Sequence, residues 1–255
     1  MSLDSSVVIC AHNEQEYIDE CLKAVVAQSL EPSQIIVVLD RCSDNTESMA
    51  NSILKGSNYL LIHKNKAAWK NSISENLELA RARASGDGFV VIDADMVIPA
   101  DFLAKLLPEL KEFAVVSAVA RTDPSRGILN WLVSSWERTY RFTPMGTQPR
   151  GGARVISTKD LDEVGGFRDV YAWESDLDTR LRASGRKLKL DTSVEVLHRR
   201  RMTIRHSISY QVQAGRARRE IGVSASRTLL HSLFRLRPFV IYGYFIGERK
   251  MPGTG

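Results

Sequence analysis

Acids placed at the ends of apolar runs are the residues of this chain best suited to chemistry. In VVIDADMVIPADF, the run Phe89-Val90-Val91-Ile92 delivers Asp93 and Asp95 one residue apart. A core strand that ends there, with a turn at Ala94, lets one carboxylate hold a hard cation while the other hydrogen-bonds a sugar. Mg²⁺ and Mn²⁺ take oxygen ligands and share them with phosphates. Asp40 closes a second apolar run, QIIVVLD. There it can accept a hydrogen bond from the imide N–H of uracil or the N1–H of guanine. Asp44, four residues on, suits a helix cap or a loop brace. The first run, SSVVIC, passes into Ala11, His12, Asn13 and Glu14, whose backbone and side chains can frame a base.

The surrounding pattern supplies the elements that must hold these groups. Ile18, Cys21, Leu22, Val25 and Val26 recur at helical spacing after the first run, and RCSDNTESMANSILKG reads as a helix after the second. NYLLIHK is a third strand, and a helix over 69–84 precedes FVVIDAD. Strands alternating with helices predict a Rossmann-like α/β fold whose ligands lie beyond the carboxyl ends of the strands. Further on, ADFLAKLLPELKEF and RGILNWLVSSWERTYRF read as helices, and AVVSAVA and KLKLDTSVEVLH as strands. RGGARVIS and LDEVGGF are punctuated by glycine. Gly151 and Gly152 would let backbone pass close to a sugar or acceptor, or serve as plain turn residues.

At 255 residues, with 44% hydrophobic and 25% charged side chains, the chain can bury one large α/β core. Cys10, Cys21 and Cys42 are too few and too scattered for a disulfide framework or a zinc site. They fit a reducing compartment, and the expectation is the cytoplasm. No basic-then-apolar leader pattern opens the sequence. The net charge of +5 is unevenly spread: Arg199 to Gly255 carries twelve Lys/Arg against Glu220 and Glu248, or +10, which leaves −5 for residues 1–198. An acidic site and an anionic partner for the basic segment follow from that split.

VVICAHNEQEYIDECLKAVVAQSL, IIVVLDRCSDNT, SGDGFVVIDADMVIPADFL, EVGGF and ESDLDTRL resemble, in order and spacing, the motifs of family 2 glycosyltransferases over residues 6 to 200. The resemblance implies a GT-A fold: a mixed, mostly parallel sheet flanked by helices, here with a basic C-terminal helical extension. It implies an inverting, metal-dependent transfer from a nucleotide-diphosphate sugar, with UDP favoured by family frequency and GDP open. Residues 1–198 would be the transferase domain, with 1–100 the nucleotide-binding half and 101–198 the acceptor half. Residues 199–255 would be the extension. Asp40 matches the acid that reads the base. Asp93 matches the acid facing the ribose, with Ala94 beside it, and Asp95 the acid on the metal. His198 matches a further metal ligand. Glu174 stands where the base aspartate of the family usually lies, with Asp176 a rival and Trp173 where another acid is usual. Trp173, Gly151 and Gly152 are the candidates for acceptor or sugar contact. Between Lys64 and Ala84 the glycine and asparagine usual in relatives have no clean counterpart; Lys64, Lys66 and Lys70 could face phosphate there, but read as solvated.

Seven arginines lie between His198 and Glu220. They suit diphosphate capture. The segment Gln211–Arg219 is only loosely similar to the Q-x-x-R-W element of processive relatives, because the tryptophan is missing. The apolar run Phe239–Ile246 is far shorter than the roughly 20 residues of a spanning helix; it better fits a peripheral seat on an anionic membrane, the alternative being a C-terminal helix packed on the domain with its arginines in water. A lipid-linked acceptor is one option; acceptor identity and oligomeric state are not legible. A nucleotidyltransferase would share the acidic metal site, but a glycine-rich, lysine-bearing loop should then follow the first strand, where CAHNEQEY stands. A nucleic-acid binder using the arginines lacks aromatic–basic interleaving, so no nucleic acid is expected.

Overall fold

The computed structural model describes residues 3–138, 152–235 and 237–247. Eight strands form one sheet: β1 Ser5–Ala11, β2 Gln34–Asp40, β3 Tyr59–Lys64, β4 Gly88–Asp93, β5 Met96–Val97, β6 Val115–Thr122, β7 Ala153–Ser157 and β8 Leu188–His198. Their order is β3-β2-β1-β4-β7-β6-β8-β5. Pairings β1·β2, β2·β3, β1·β4 and β6·β8 are parallel, and the three made by β4·β7, β6·β7 and β5·β8 are antiparallel.

The continuous apolar runs of β1, β2 and β4 follow from burial on both faces. Val7, Ile9 and Ala11 enter one core with Ile35, Val37, Leu39, Val90 and Ile92. Val8, Ile36, Val38, Phe89 and Val91 enter the other. The first core is closed by α1 Ile18–Val26, α2 Thr46–Leu54 and, after α3 Ser72–Arg81, by α4 Phe102–Leu106. The second is closed by α3 and, further along the chain, by residues of α6 Thr158–Glu163 and α7 Trp173–Ala183, which follow α5 Ile128–Glu137.

Helix α3 is shorter than the sequence suggests. Asn71 accepts a hydrogen bond from the Ile73 amide at 3.1 Å and starts the helix there. The helix predicted from ADFLAKLLPELKEF is divided, because Pro108 falls where α4 passes into a 3₁₀ turn over Leu107–Lys111. The last part of RGILNWLVSSWERTYRF, and Gly151, lie outside the described residues.

The chain runs outward from β1 through β2 to β3, then crosses back to lay β4 on the other side of β1. This reversal opens a crevice at the carboxyl ends of β1 and β4. Past β8 come α8 Ile204–Glu220, α9 Ala225–Phe234 and α10 Phe239–Ile246. Among the described residues no helix is long and apolar enough to cross a membrane.

Candidate active site

The crevice gathers most of the residues singled out above. β4 ends at Asp93, and Ala94 and Asp95 form the expected turn. Strand β5 then pairs antiparallel with the end of β8, setting Met96 opposite His198. That short pairing brings His198 Nε2 to 3.0 Å from Asp95 Oδ2. The same oxygen accepts a hydrogen bond from Arg200 Nε at 2.5 Å, while Arg200 Nη2 reaches both carboxylate oxygens of Glu14 at 2.6 and 2.7 Å. The Arg200 guanidinium lies 5.0 Å from the centre of the Tyr17 ring. One arginine thus ties the loop after β1 to the turn after β4.

Electrostatics sort these acids. Asp95 is 6% exposed, and burial works against its ionised form. The hydrogen bond and charge of His198, then Arg200, prevail and hold its pKa at about 2. At Asp93 the opposing charges of His198 and Arg200 do not prevail. Burial, then the charges of Asp95 and Glu174, push its carboxyl up to about 7. Burial opposes a charged His198, but Asp95 outweighs it and raises the imidazole pKa. Glu14 is raised by burial, against the pull of Arg200.

Gly152 shapes the floor of this crevice. Its carbonyl accepts a hydrogen bond from the Asp93 amide at 2.7 Å, and its φ of +95° lies in the left-handed region. A Cβ there would stand 2.3 Å from Met96 Cε and 2.9 Å from Asp93 Oδ2, so the position requires glycine.

The end of β2 carries a second buried network. Asp40 is 2% exposed and accepts from Arg41 Nε (2.7 Å), Ser72 Oγ (2.6 Å) and Asn76 Nδ2 (3.1 Å). Lys64, opposite it in the β2·β3 register, lies 3.2 Å away and also meets Glu75 at 3.0 Å. Burial opposes ionisation of Asp40, yet these donors hold its carboxyl well below the usual range. The expectation of a solvated Lys64 is therefore corrected: it is buried because two carboxylates neutralise it. Lys70 is paired with Glu220 at 2.5 Å, and Lys66 is exposed. His12 Nδ1 is 2.6 Å from the Asp40 carbonyl, and Asn13 Oδ1 accepts from the Ser43 amide at 2.8 Å. Asp44 braces the adjoining loops, accepting from Thr46 and from the Gln15 amide. Beside these loops a cavity of about 480 Å³ is lined by Asn13, Gln15, Tyr17, Ser43, Asp44 and Arg200, among others.

Helix α7 brings its first turn to the same place. The Glu174 charge bears on Asp93, and burial raises the Glu174 pKa against the charge of Arg154. Asp176 is bound instead by Arg180 Nε at 2.8 Å. Trp173 is 6% exposed, its ring packed edge-on against Phe167 at 5.6 Å and under Arg154 at 5.5 Å, so it is committed to the core.

The family model of Glycosyl transferase family 2 matches residues 6–184. The chain belongs to that family. Among curated relatives of this transferase family, a dolichol-phosphate mannosyltransferase of Pyrococcus furiosus is 28% identical over 165 residues, which are 64% of this chain and 44% of that protein. An uncharacterized glycosyltransferase of Haemophilus influenzae is 29% identical over 114 residues, or 45% of this chain and 35% of that protein. The chain thus spans less than half the length of these relatives. Among solved structures, a mannosyltransferase of Pyrobaculum calidifontis in complex with GDP-Man and Mn²⁺ aligns with a TM-score of 0.68 at 19% identity, covering 96% of this chain and 71% of that one. Glucosyl-3-phosphoglycerate synthase of Mycobacterium tuberculosis, with Mn²⁺, UDP-Glc and phosphoglyceric acid, aligns at 0.60 and 22% identity, covering 83% and 78%. At these identities the likeness is one of fold, and the GT-A expectation agrees with it.

Several residues of this candidate site are not evident from the sequence. Arg200 reads there as one of a basic run, and its partners Glu14 and Asp95 lie more than a hundred residues away. Ser72 and Asn76 enter only through the packing of α3 on β2. Arg154 carries a signal that is readable: an arginine within the apolar strand ARVIS must find a buried counter-charge. It is 0% exposed and pairs with Asp178 at 3.2 Å.

Proposed function

We propose that this chain transfers a sugar from a nucleotide-diphosphate sugar to an acceptor hydroxyl or phosphate, inverting the anomeric centre with the help of a divalent cation. The observation that carries the reading is the 3.0 Å approach of His198 to Asp95 at the crevice between β1 and β4. Two neighbouring ligands on an octahedral cation lie about 3 Å apart, given metal–ligand distances near 2.1 Å. Among the described residues no group of three or more His, Cys, Asp or Glu side chains is placed to hold a metal. A pair of protein ligands fits a cation that completes its shell with donor phosphates and water, once the His198 proton and Arg200 Nε, both now on Asp95 Oδ2, give way to it. The nitrogen ligand favours Mn²⁺ over Mg²⁺, which prefers oxygen. When bound, the cation neutralises the departing diphosphate as a Lewis acid.

The protein's own groups do the rest. Asp93 accepts hydrogen bonds from the ribose, with Ala94 turning the backbone beside it. Asp40 reads an imide-type N–H of the base once Arg41, its most exposed partner, moves aside, and Ala11, His12, Asn13 and Glu14 frame that base. UDP is the first choice of donor nucleotide and GDP the second. Glu174 removes the acceptor proton as the acceptor oxygen bonds to the anomeric carbon and the bond to the diphosphate breaks. Asp176 is less suited, because Arg180 already holds its carboxylate. Gly152 allows the sugar close to backbone. The basic segment supports a lipid-linked acceptor met at the cytoplasmic membrane face.

The test is release of nucleoside diphosphate from UDP- and GDP-sugars in the presence of Mn²⁺. The reading predicts release from one nucleotide class and none after chelation. Equal release with and without chelator would contradict it.

A further inference from the structure

Helix α9 is turned inside out for a surface helix. Its buried residues are Thr228 and Ser232, while Leu230, Leu233 and Phe234 are 53%, 61% and 73% exposed. The polar residues are satisfied inward: Thr228 Oγ1 donates to the Ser224 carbonyl at 3.0 Å, and Ser232 Oγ donates to the Arg237 carbonyl. A helix that buries Thr228 and Ser232 and shows its leucines and phenylalanine presents a face suited to be covered.

The charges beside that face indicate what covers it. Arg218 reaches in from α8, its Nε 3.2 Å from Thr228 Oγ1 and its Nη2 3.4 Å from the Arg227 carbonyl. Arg237 follows α9 and lies 5.8 Å from the Tyr210 ring centre. Among the described residues the buried His231 Nδ1 has no hydrogen-bond partner. Burial, then the charges of Arg218, Arg235 and Arg237, lower the His231 pKa to about 4, and Arg227 and Arg235 also bear on Arg218. Glu220, the one described acid after Arg199, is taken by Lys70 and by the Tyr171 amide at 2.7 Å. Arg227 is exposed and Arg237 half-buried, and both belong to the +10 segment 199–255, so an anionic surface complements this face.

We propose that α9 is a seat for an anionic lipid surface: Leu230, Leu233 and Phe234 enter the headgroup boundary while Arg227 and Arg237 take lipid phosphates. An apolar face flanked by arginines meets both parts of such a surface at once. A second copy of the chain is the less fitting occupant, since it would bring the same positive charge. The inference rests on the membrane-side reading above, but its test needs neither donor nor turnover, so either can fail alone.

The experiment is co-sedimentation of the full chain with vesicles of phosphatidylcholine alone and of phosphatidylcholine with phosphatidylglycerol. Binding is expected to be at least about tenfold stronger to the anionic vesicles, as basic residues near such a surface each add attraction. The double variant Arg227→Gln/Arg237→Gln should lose about tenfold or more of it, and Phe234→Ser should weaken it with an unchanged melting temperature. Equal binding to both vesicle types, or unaltered binding of both variants, overturns the proposal. So does a lipid-free dimer that Phe234→Ser dissociates. Stabilisation by inorganic phosphate without vesicle binding assigns the cluster to a soluble anion and also overturns it.

Discussion

Glu174 and Asp176 stand two residues apart on α7, yet their surroundings separate them. Arg180 binds Asp176, whereas burial raises the Glu174 pKa and its charge bears on Asp93. Glu174→Gln should lower turnover by about 10²- to 10⁴-fold with nucleotide binding retained, as for loss of a general base. Asp176→Asn should cost about tenfold or less. Kinetics on the two purified variants distinguish them. The sign of the pH response follows from the raised pKa. The base works only when deprotonated, so turnover should fall on the acid side at a pH above that of an ordinary glutamate. Stability moves the other way: the folded state favours protonated Glu174, so its contribution declines as pH rises through the raised pKa. The acids at strand ends were legible in the sequence because apolar runs announce them. Lys64 was not, because its burial depends on Asp40 and Glu75 arriving from other elements.

At the scale of elements, β-branched runs identified the parallel strands, and burial on both faces explains why. Helix bounds were less legible where a single side chain sets them, as Asn71 does for α3. The tight contact between α8 and α10 could not be read at all. A Cβ on Gly243 would lie 2.1 Å from the Val212 carbonyl oxygen, and one on Gly215 2.2 Å from that of Val240. Two glycines 28 residues apart acquire this meaning only when the helices cross. Backbone carbonyls cannot yield as a flexible side chain can. Gly243→Ala should therefore destabilise the C-terminal helices by about 1–3 kcal/mol. Limited proteolysis should show faster cleavage after Glu220, with the sheet domain still protected. A variant as resistant as wild type would mean that these helices do not pack at Gly243.

Over the whole molecule, charge and topology assign different work to different ends. Residues 1–198, at −5, carry the acidic crevice at the β1–β4 reversal, and the +10 remainder reaches back into it through Arg200. The central claim is that a divalent cation on Asp95 and His198 holds a nucleotide diphosphate in that crevice. The most direct measurement is thermal unfolding with UDP or GDP, with and without Mn²⁺, for wild type and for Asp95→Asn. Ligand at about 100 times its Kd stabilises the native state by about 2.7 kcal/mol. A Mn²⁺-dependent rise in melting temperature with one diphosphate, lost in Asp95→Asn, is the predicted result. No shift with either diphosphate at millimolar concentration, or a full Mn²⁺-dependent shift retained by Asp95→Asn, would contradict the account.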